Sequence, residues 1–132
     1  MAKISADIAQ IVDITARRSD SFYLQVALSN DDGTTYNLID SASNPYEADM
    51  FIYDSTDRLI LTFESNNYVS GVPGTLSDAI VIDTTKSTLT IEVLGSNMGL
   101  HTGNYKYKLV LSSDTDDEVN TVMVGKLKII DL

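Results

Sequence analysis

Residues 21–33 read Ser21-Phe22-Tyr23-Leu24-Gln25-Val26-Ala27-Leu28-Ser29-Asn30-Asp31-Asp32-Gly33, and this stretch decides the fold. Phe22, Leu24, Val26 and Leu28 fall on one side of an extended chain and Tyr23, Gln25 and Ala27 on the other, because successive strand side chains point to opposite faces. The spacing predicts a half-buried strand. Asn30-Asp31-Asp32-Gly33 ends it with residues that tolerate left-handed backbone. Tyr36 and Leu38 then begin a short second strand, so a hairpin is expected.

The same alternation extends toward the C-terminus. Ala48–Tyr53 is an apolar run closed by Asp54-Ser55-Thr56-Asp57, after which Leu59, Leu61 and Phe63 alternate between Arg58 and Glu64. Ala79–Asp83 and the Leu89, Ile91, Val93 alternation flank Thr84-Thr85-Lys86-Ser87, and β-branched residues dominate both arms, as a pleated surface prefers. Tyr105, Tyr107, Leu109 and Leu111 alternate with Lys106, Lys108 and Val110, then an acidic turn from Asp114 to Glu118 leads into Val119–Ile130: a closing hairpin. Residues 65–77, with two Asn, two Gly and Pro73, lack apolar periodicity and read as a long exposed loop. Toward the N-terminus, Ile4, Ile8, Ile11 and Val12 fit a helix face, whereas Ile8, Ile11-Val12 and Ile14 fit an edge strand; a strand over Gln10–Arg17 is expected.

Seven to nine short strands with regular turns predict an all-β chain, an immunoglobulin-like β-sandwich of about 7–9 antiparallel strands. The Cys…Trp…Cys pattern of antibody domains is absent. A tyrosine early in the penultimate strand, Tyr105 or Tyr107 in Gly103-Asn104-Tyr105-Lys106-Tyr107, stands where such sandwiches place one whose hydroxyl bonds back to nearby backbone. At 132 residues, with no Pro/Gly/Ser-rich divider, the chain is expected to be one domain spanning 1–132.

Nine Lys and Arg against nineteen Asp and Glu give a formal charge of -10, which repels a duplex or an anionic membrane; neither nucleic acid nor membrane is an expected partner. Without cysteine there is no disulfide, thiolate zinc site or cysteine nucleophile. The first residues, Met1-Ala2-Lys3-Ile4-Ser5-Ala6-Asp7, lack the n- and h-regions of a secretory signal, so an unexported protein is expected.

The acidic clusters fall in turns. Asp114-x-Asp116-Asp117-Glu118 offers oxygens to a hard cation but lacks the central Gly and distant bidentate Glu of a helical calcium loop. Asp31-Asp32-Gly33, Asp54 and Asp57 read as hairpin turns before they read as ligands. Carboxylates kept ionised by water do not make a glycosidase pair, the single histidine, His101, has no Gly-x-Ser-x-Gly elbow to serve, and Gly71-Val72-Pro73-Gly74 lacks the Lys-Ser/Thr of a phosphate loop. No enzyme activity, cofactor or metal is expected. The chemistry left is surface recognition: Tyr23, Tyr46, Tyr53 and Tyr68 on outer faces or loops, and Arg17-Arg18 as the basic doublet. The candidate partner contacts are Arg17, Arg18, Tyr46, Tyr68, Val72 and Pro73.

The run Ile14-Thr15-Ala16-Arg17-Arg18-Ser19-Asp20-Ser21-Phe22, then alternation, Asp32-Gly33 and Tyr36-Asn37-Leu38, resembles the start of small bacteriophage virion domains. These include the N-terminal immunoglobulin-like domain of baseplate upper proteins and related head-associated proteins. Ala48–Tyr53, Gly103–Leu109, Asn120-Thr121-Val122 and Gly125–Ile129 continue the likeness over nearly the whole chain. The resemblance implies a non-enzymatic virion structural protein whose partners are the major capsid protein or other virion proteins. Because such domains usually continue into a stalk and this sequence stops at Leu132, it implies an auxiliary capsid (head decoration or cement) protein on the capsid exterior, assembled in the host bacterial cytoplasm. A tail or baseplate adaptor that attaches fibres or receptor-binding proteins is the alternative, and a calcium-dependent carbohydrate-binding module a further one. Homo-oligomerisation is left open.

Overall fold

The computed structural model describes residues 2–5, 10–30, 32–39, 41–43, 45–65, 75–76, 79–95, 100–113 and 118–131. Alternating residues form strands throughout: β1 (Ala2–Ser5), β2 (Gln10–Ile11), β3 (Ile14–Arg17), β4 (Phe22–Ser29), β5 (Glu47–Tyr53), β6 (Leu59–Glu64), β7 (Thr75–Leu76), β8 (Ile80–Asp83), β9 (Thr88–Val93), β10 (Gly103–Ser113) and β11 (Glu118–Ile130). They make two sheets. The smaller runs β1-β4-β9-β8; the larger runs β2-β11-β10-β5-β6-β7, with β3 also paired to β11.

The apolar stripes of both sheets form one core. Phe22, Val26 and Leu28 of β4, as the alternation of residues 21–29 predicts, meet Met50 and Ile52 of β5, Phe63 of β6, and Tyr107, Leu109 and Leu111 of β10. The Phe22 and Phe63 rings, one from each sheet, stack at 6.4 Å between centroids. The all-β sandwich is therefore observed, but its pairing is not wholly antiparallel. β1 runs parallel to β4, β2 and β3 parallel to β11, and β7 parallel to β6.

Three further expectations need correction. First, the N-terminal strand is broken at Val12-Asp13 into β2 and β3, and β1 precedes them on the other sheet. The break is a site of close backbone approach. The Val12 N–H donates to the Val124 carbonyl at 2.9 Å, the Lys126 N–H donates to Asp13 Oδ1 at 3.0 Å, and the Val12 carbonyl accepts the Tyr107 hydroxyl. A Cβ on Gly125 would lie 2.1 Å from the Val12 carbonyl oxygen, so only glycine lets β11 pass here.

Second, the turn after β4 is present but the strand expected at Tyr36–Leu38 is not. Asn30 N–H bonds the Thr34 carbonyl at 2.8 Å and Gly33 takes φ +86°, leaving only an isolated bridge between Ser29 and Thr35. The Asn37 side chain then accepts the Ile39 N–H at 3.1 Å, a local bond that competes with a ladder, while Leu38 is fully buried. Third, the stretch 65–77 is not all loop. Ser65 is buried, its Oγ accepting the Ala48 N–H at 3.1 Å, and Thr75–Leu76 forms β7.

Candidate functional site

The Arg17-Arg18-Ser19-Asp20 turn joins the edge of the larger sheet to the start of β4 in the smaller. Ser19 takes φ +64°, the Arg18 N–H bonds the Ile130 carbonyl at 2.9 Å, and the Asp20 N–H bonds the Arg17 carbonyl at 3.3 Å. Gly95 closes on the turn so tightly that a Cβ there would lie 2.4 Å from the Ser19 carbonyl oxygen. Arg17 and Arg18 are both exposed. Beside them β3 and the first half of β4 bound a groove of about 280 Å3 whose walls include Ile14, Ala16, Arg17, Phe22 and Leu24.

Tyr46 is placed differently from the expectation. It is 9% exposed and belongs to the core, its N–H bonded to the Leu38 carbonyl at 2.9 Å, so its ring offers little surface to a partner. Burial wins because Leu38 and Tyr46 are drawn inward together at the two ends of the 38–46 connection. Tyr23 is 62% exposed and Tyr53 half-buried. Tyr68, Val72 and Pro73 lie outside the described residues, as do Asp31 and Asp114–Asp117.

Asp32, Asp54 and Asp83 are engaged within their own turns, whereas Asp57 accepts the Lys106 ammonium of β10 at 2.8 Å. Asp54 Oδ1 accepts the Thr56 hydroxyl at 2.6 Å and the Thr56 and Arg58 N–H groups at 2.9 and 3.0 Å. These bonds hold its carboxyl down at about 2, the Thr56 hydroxyl most of all. Asp32 repeats the pattern with Thr34, which lowers its pKa too, and Asp83 accepts the N–H groups of Thr85 and Lys86 at 3.0 Å each. His101 is exposed, and its carbonyl takes the Tyr105 hydroxyl at 2.7 Å.

A second surface escaped the sequence reading. Cross-strand registers place Glu47, Asp49, Phe51 and Tyr53 of β5 on the outer face of the larger sheet, because Ala48, Met50 and Ile52 fill the core. Asp49 sits opposite Glu64 on β6 and Val110 on β10; Phe51 opposite Thr62 and Lys108; Tyr53 opposite Leu59 and Lys106. β11 continues these rows with Thr121, Val124 and Lys126, and Ile11 of β2 lies beside Val124. The face is apolar in its middle and polarised at its ends. Lys108 Nζ lies over the Phe51 and Tyr53 rings, 5.6 and 5.9 Å from their centroids.

At one end, burial first and then Glu64 and Glu47 push the Asp49 carboxyl up to about 6, and burial and Glu47 raise Glu64. Glu64 Oε2 is buried with no hydrogen-bond partner among the described residues. At the other end lie the exposed Lys106, Lys126 and Lys128. Among the described residues no group of three or more His, Cys, Asp or Glu is arranged to hold a metal. No protein-family model matches the chain, and no curated protein matches its sequence.

The signal for this face was present as the polar half of two alternations, Glu47/Asp49 on β5 and Lys106/Lys108 on β10. Register brings the strands side by side, and register is not written in either strand alone.

Proposed function

We propose that the chain is a non-enzymatic structural protein of a bacteriophage virion, an auxiliary capsid protein that docks on the outer capsid lattice. The observation that carries this reading is the strand order. Lettered in the immunoglobulin convention, β1-β4-β9-β8 reads A-B-E-D, and β11-β10-β5-β6-β7 reads G-F-C-C′-C″, with β2 and β3 extending the G edge. The Tyr105 hydroxyl bonded to the His101 carbonyl supplies the corner at the start of strand F. Tyr107, two residues on, occupies the place of an antibody domain's second cysteine and bonds the Val12 carbonyl instead. This order supports the immunoglobulin-like reading, on which the likeness of residues 14–38 and 103–129 to virion domains depends.

The exposed Arg17-Arg18 turn, fixed against Ile130 and Gly95, is a defined projection through which an acidic patch of a neighbouring subunit would be gripped. Mass spectrometry of purified virions from the phage that encodes the chain tests the proposal: the polypeptide is expected among the structural proteins, and its absence overturns the reading. The likeness to baseplate upper proteins favours a tail adaptor as second reading. Densitometry against the major capsid protein separates the two, since decoration requires hundreds of copies per particle and an adaptor few.

A further inference from the structure

The outer face of the larger sheet is anomalous for this molecule. Lys106, Lys108, Lys126 and Lys128, four of the nine basic residues in a chain of charge -10, share it. Three carboxylates, Glu47, Asp49 and Glu64, share its opposite end. Between them runs an apolar band that includes Ile11, Val124, Phe51 and Tyr53, and Ile11 is 81% exposed although its neighbours on the row are half-buried. Val119, 72% exposed, extends the apolar surface at the acidic end of β11.

We propose that this face joins two copies of the chain in a two-fold, face-to-face dimer, the Glu47–Asp49–Glu64 patch of each copy meeting the Lys106–Lys126–Lys128 patch of the other.

The arrangement of the patches selects a second copy over a foreign partner. The acidic patch occupies the rows of Glu47 and Asp49 on β5 and β6, and the lysines occupy the rows of Lys106 and Lys128 on β10 and β11. The Lys108–Phe51 row lies midway. A two-fold axis in the plane between two such sheets, passing beside Lys108 and Phe51 and inclined to the strands, exchanges one patch with the other. An isologous contact needs this self-complementarity, since each surface must match its own image. A purely acidic or purely basic partner would meet repulsion at one end.

Among the described residues Lys126 and Lys128 make no ion pair, while Lys106 is held by Asp57 at 2.8 Å, so Lys126 and Lys128 are the charges left for a second copy. Four strands about 4.8 Å apart and five rows about 7 Å apart give roughly 400–700 Å2 per copy. That lies below the roughly 800 Å2 per partner of a standard interface, so the association is a weak, transient one. The proposal does not depend on the virion reading.

Sedimentation velocity of the full chain between about 10 and 500 μM, a window suited to so weak an association, tests it. A concentration-dependent shift from monomer to dimer is expected; a monomer throughout overturns the proposal. Lys126→Glu/Lys128→Glu and Glu47→Lys/Glu64→Lys each weaken self-association by at least about tenfold, through like charges brought face to face. Mixed one to one, the two variants restore the dimer, because the four substituted charges of the two chains then again face opposite ones. A dimer unaffected by either variant, or a mixture of folded variants that stays monomeric, refutes the face. Circular dichroism checks folding, and if a charge variant does not fold, Ile11→Asp replaces it. That side chain projects into solvent, so the fold is retained while the dimer is lost; an unchanged dimer in this variant overturns the proposal.

Discussion

Two tyrosines two residues apart show how one hydroxyl can differ from another. Tyr107 is buried and donates to the Val12 carbonyl at the break between β2 and β3, and burial, then Asp13, pushes its pKa up to about 12. Tyr107→Phe leaves that carbonyl without its side-chain donor and lowers stability by about 1–2 kcal/mol. Tyr105 sits at a wetter position, so Tyr105→Phe costs less, about 0.5–1 kcal/mol. Urea denaturation midpoints check both, and equal midpoints for Tyr107→Phe and the unmodified chain would contradict the assignment. Asp49 gives a pH-dependent counterpart. Its carboxyl is raised from 3.8 to about 6, so the folded chain holds a proton that the unfolded chain has released. The stability this contributes is fully present below pH 3.8 and lost as pH rises through about 6. Because the side chain is only half-buried, solvent reduces the effect to about 1 kcal/mol. Asp49→Asn is therefore expected to be more stable than the parent at pH 7 by about that amount and indistinguishable near pH 4; urea titrations at the two pH values read the difference.

At the scale of elements, the break between β2 and β3 depends on a residue more than a hundred positions away. Gly125→Ala places a methyl against the Val12 carbonyl oxygen, which is backbone and cannot rotate aside. The edge must detach or shift, at about 2–3 kcal/mol, and hydrogen exchange should show Val12 and Lys126 amides losing protection before the β10 amides do. Uniform loss of protection would mean that the edge is not the weak point. This dependence also explains what was legible in the sequence. β4, β5, β6, β8, β9, β10 and β11 follow from alternation and turn residues, because one buried face imposes period two wherever it occurs. β1, the β2–β3 break and the missing strand at Tyr36–Leu38 do not, since each is set by a contact distant in sequence or by a local Asn37 bond that outcompetes a ladder. The candidate site divides the same way. Arg17 and Arg18 are exposed where their doublet suggested, but Tyr46 turns inward with Leu38, and the outer-face patches exist only once β5, β6, β10 and β11 are in register.

Over the whole molecule, charge is unevenly spent. Asp32, Asp54 and Asp83 are tied into Asx-type bonds within their turns, while four of the nine basic residues share one sheet face. A net charge of -10 on so small a body repels itself, and added salt screens that repulsion. Raising sodium chloride from about 20 to about 500 mM, which shortens the screening length severalfold, should raise the melting temperature of dilute monomer by a few degrees. A flat or falling melting temperature would show that local pairing outweighs the net charge. The parallel seam between Ile14–Arg17 and Leu127–Ile130 has a further consequence, a mechanical one. Once β1 is drawn off β4 and β2 off β11, tension through the two ends of the chain pulls β3 and β11 in opposite directions along their own axes, so the rungs of that seam are loaded together in shear instead of opening one after another. While it holds, this short seam carries the load and shields the long β10–β11 hairpin from it.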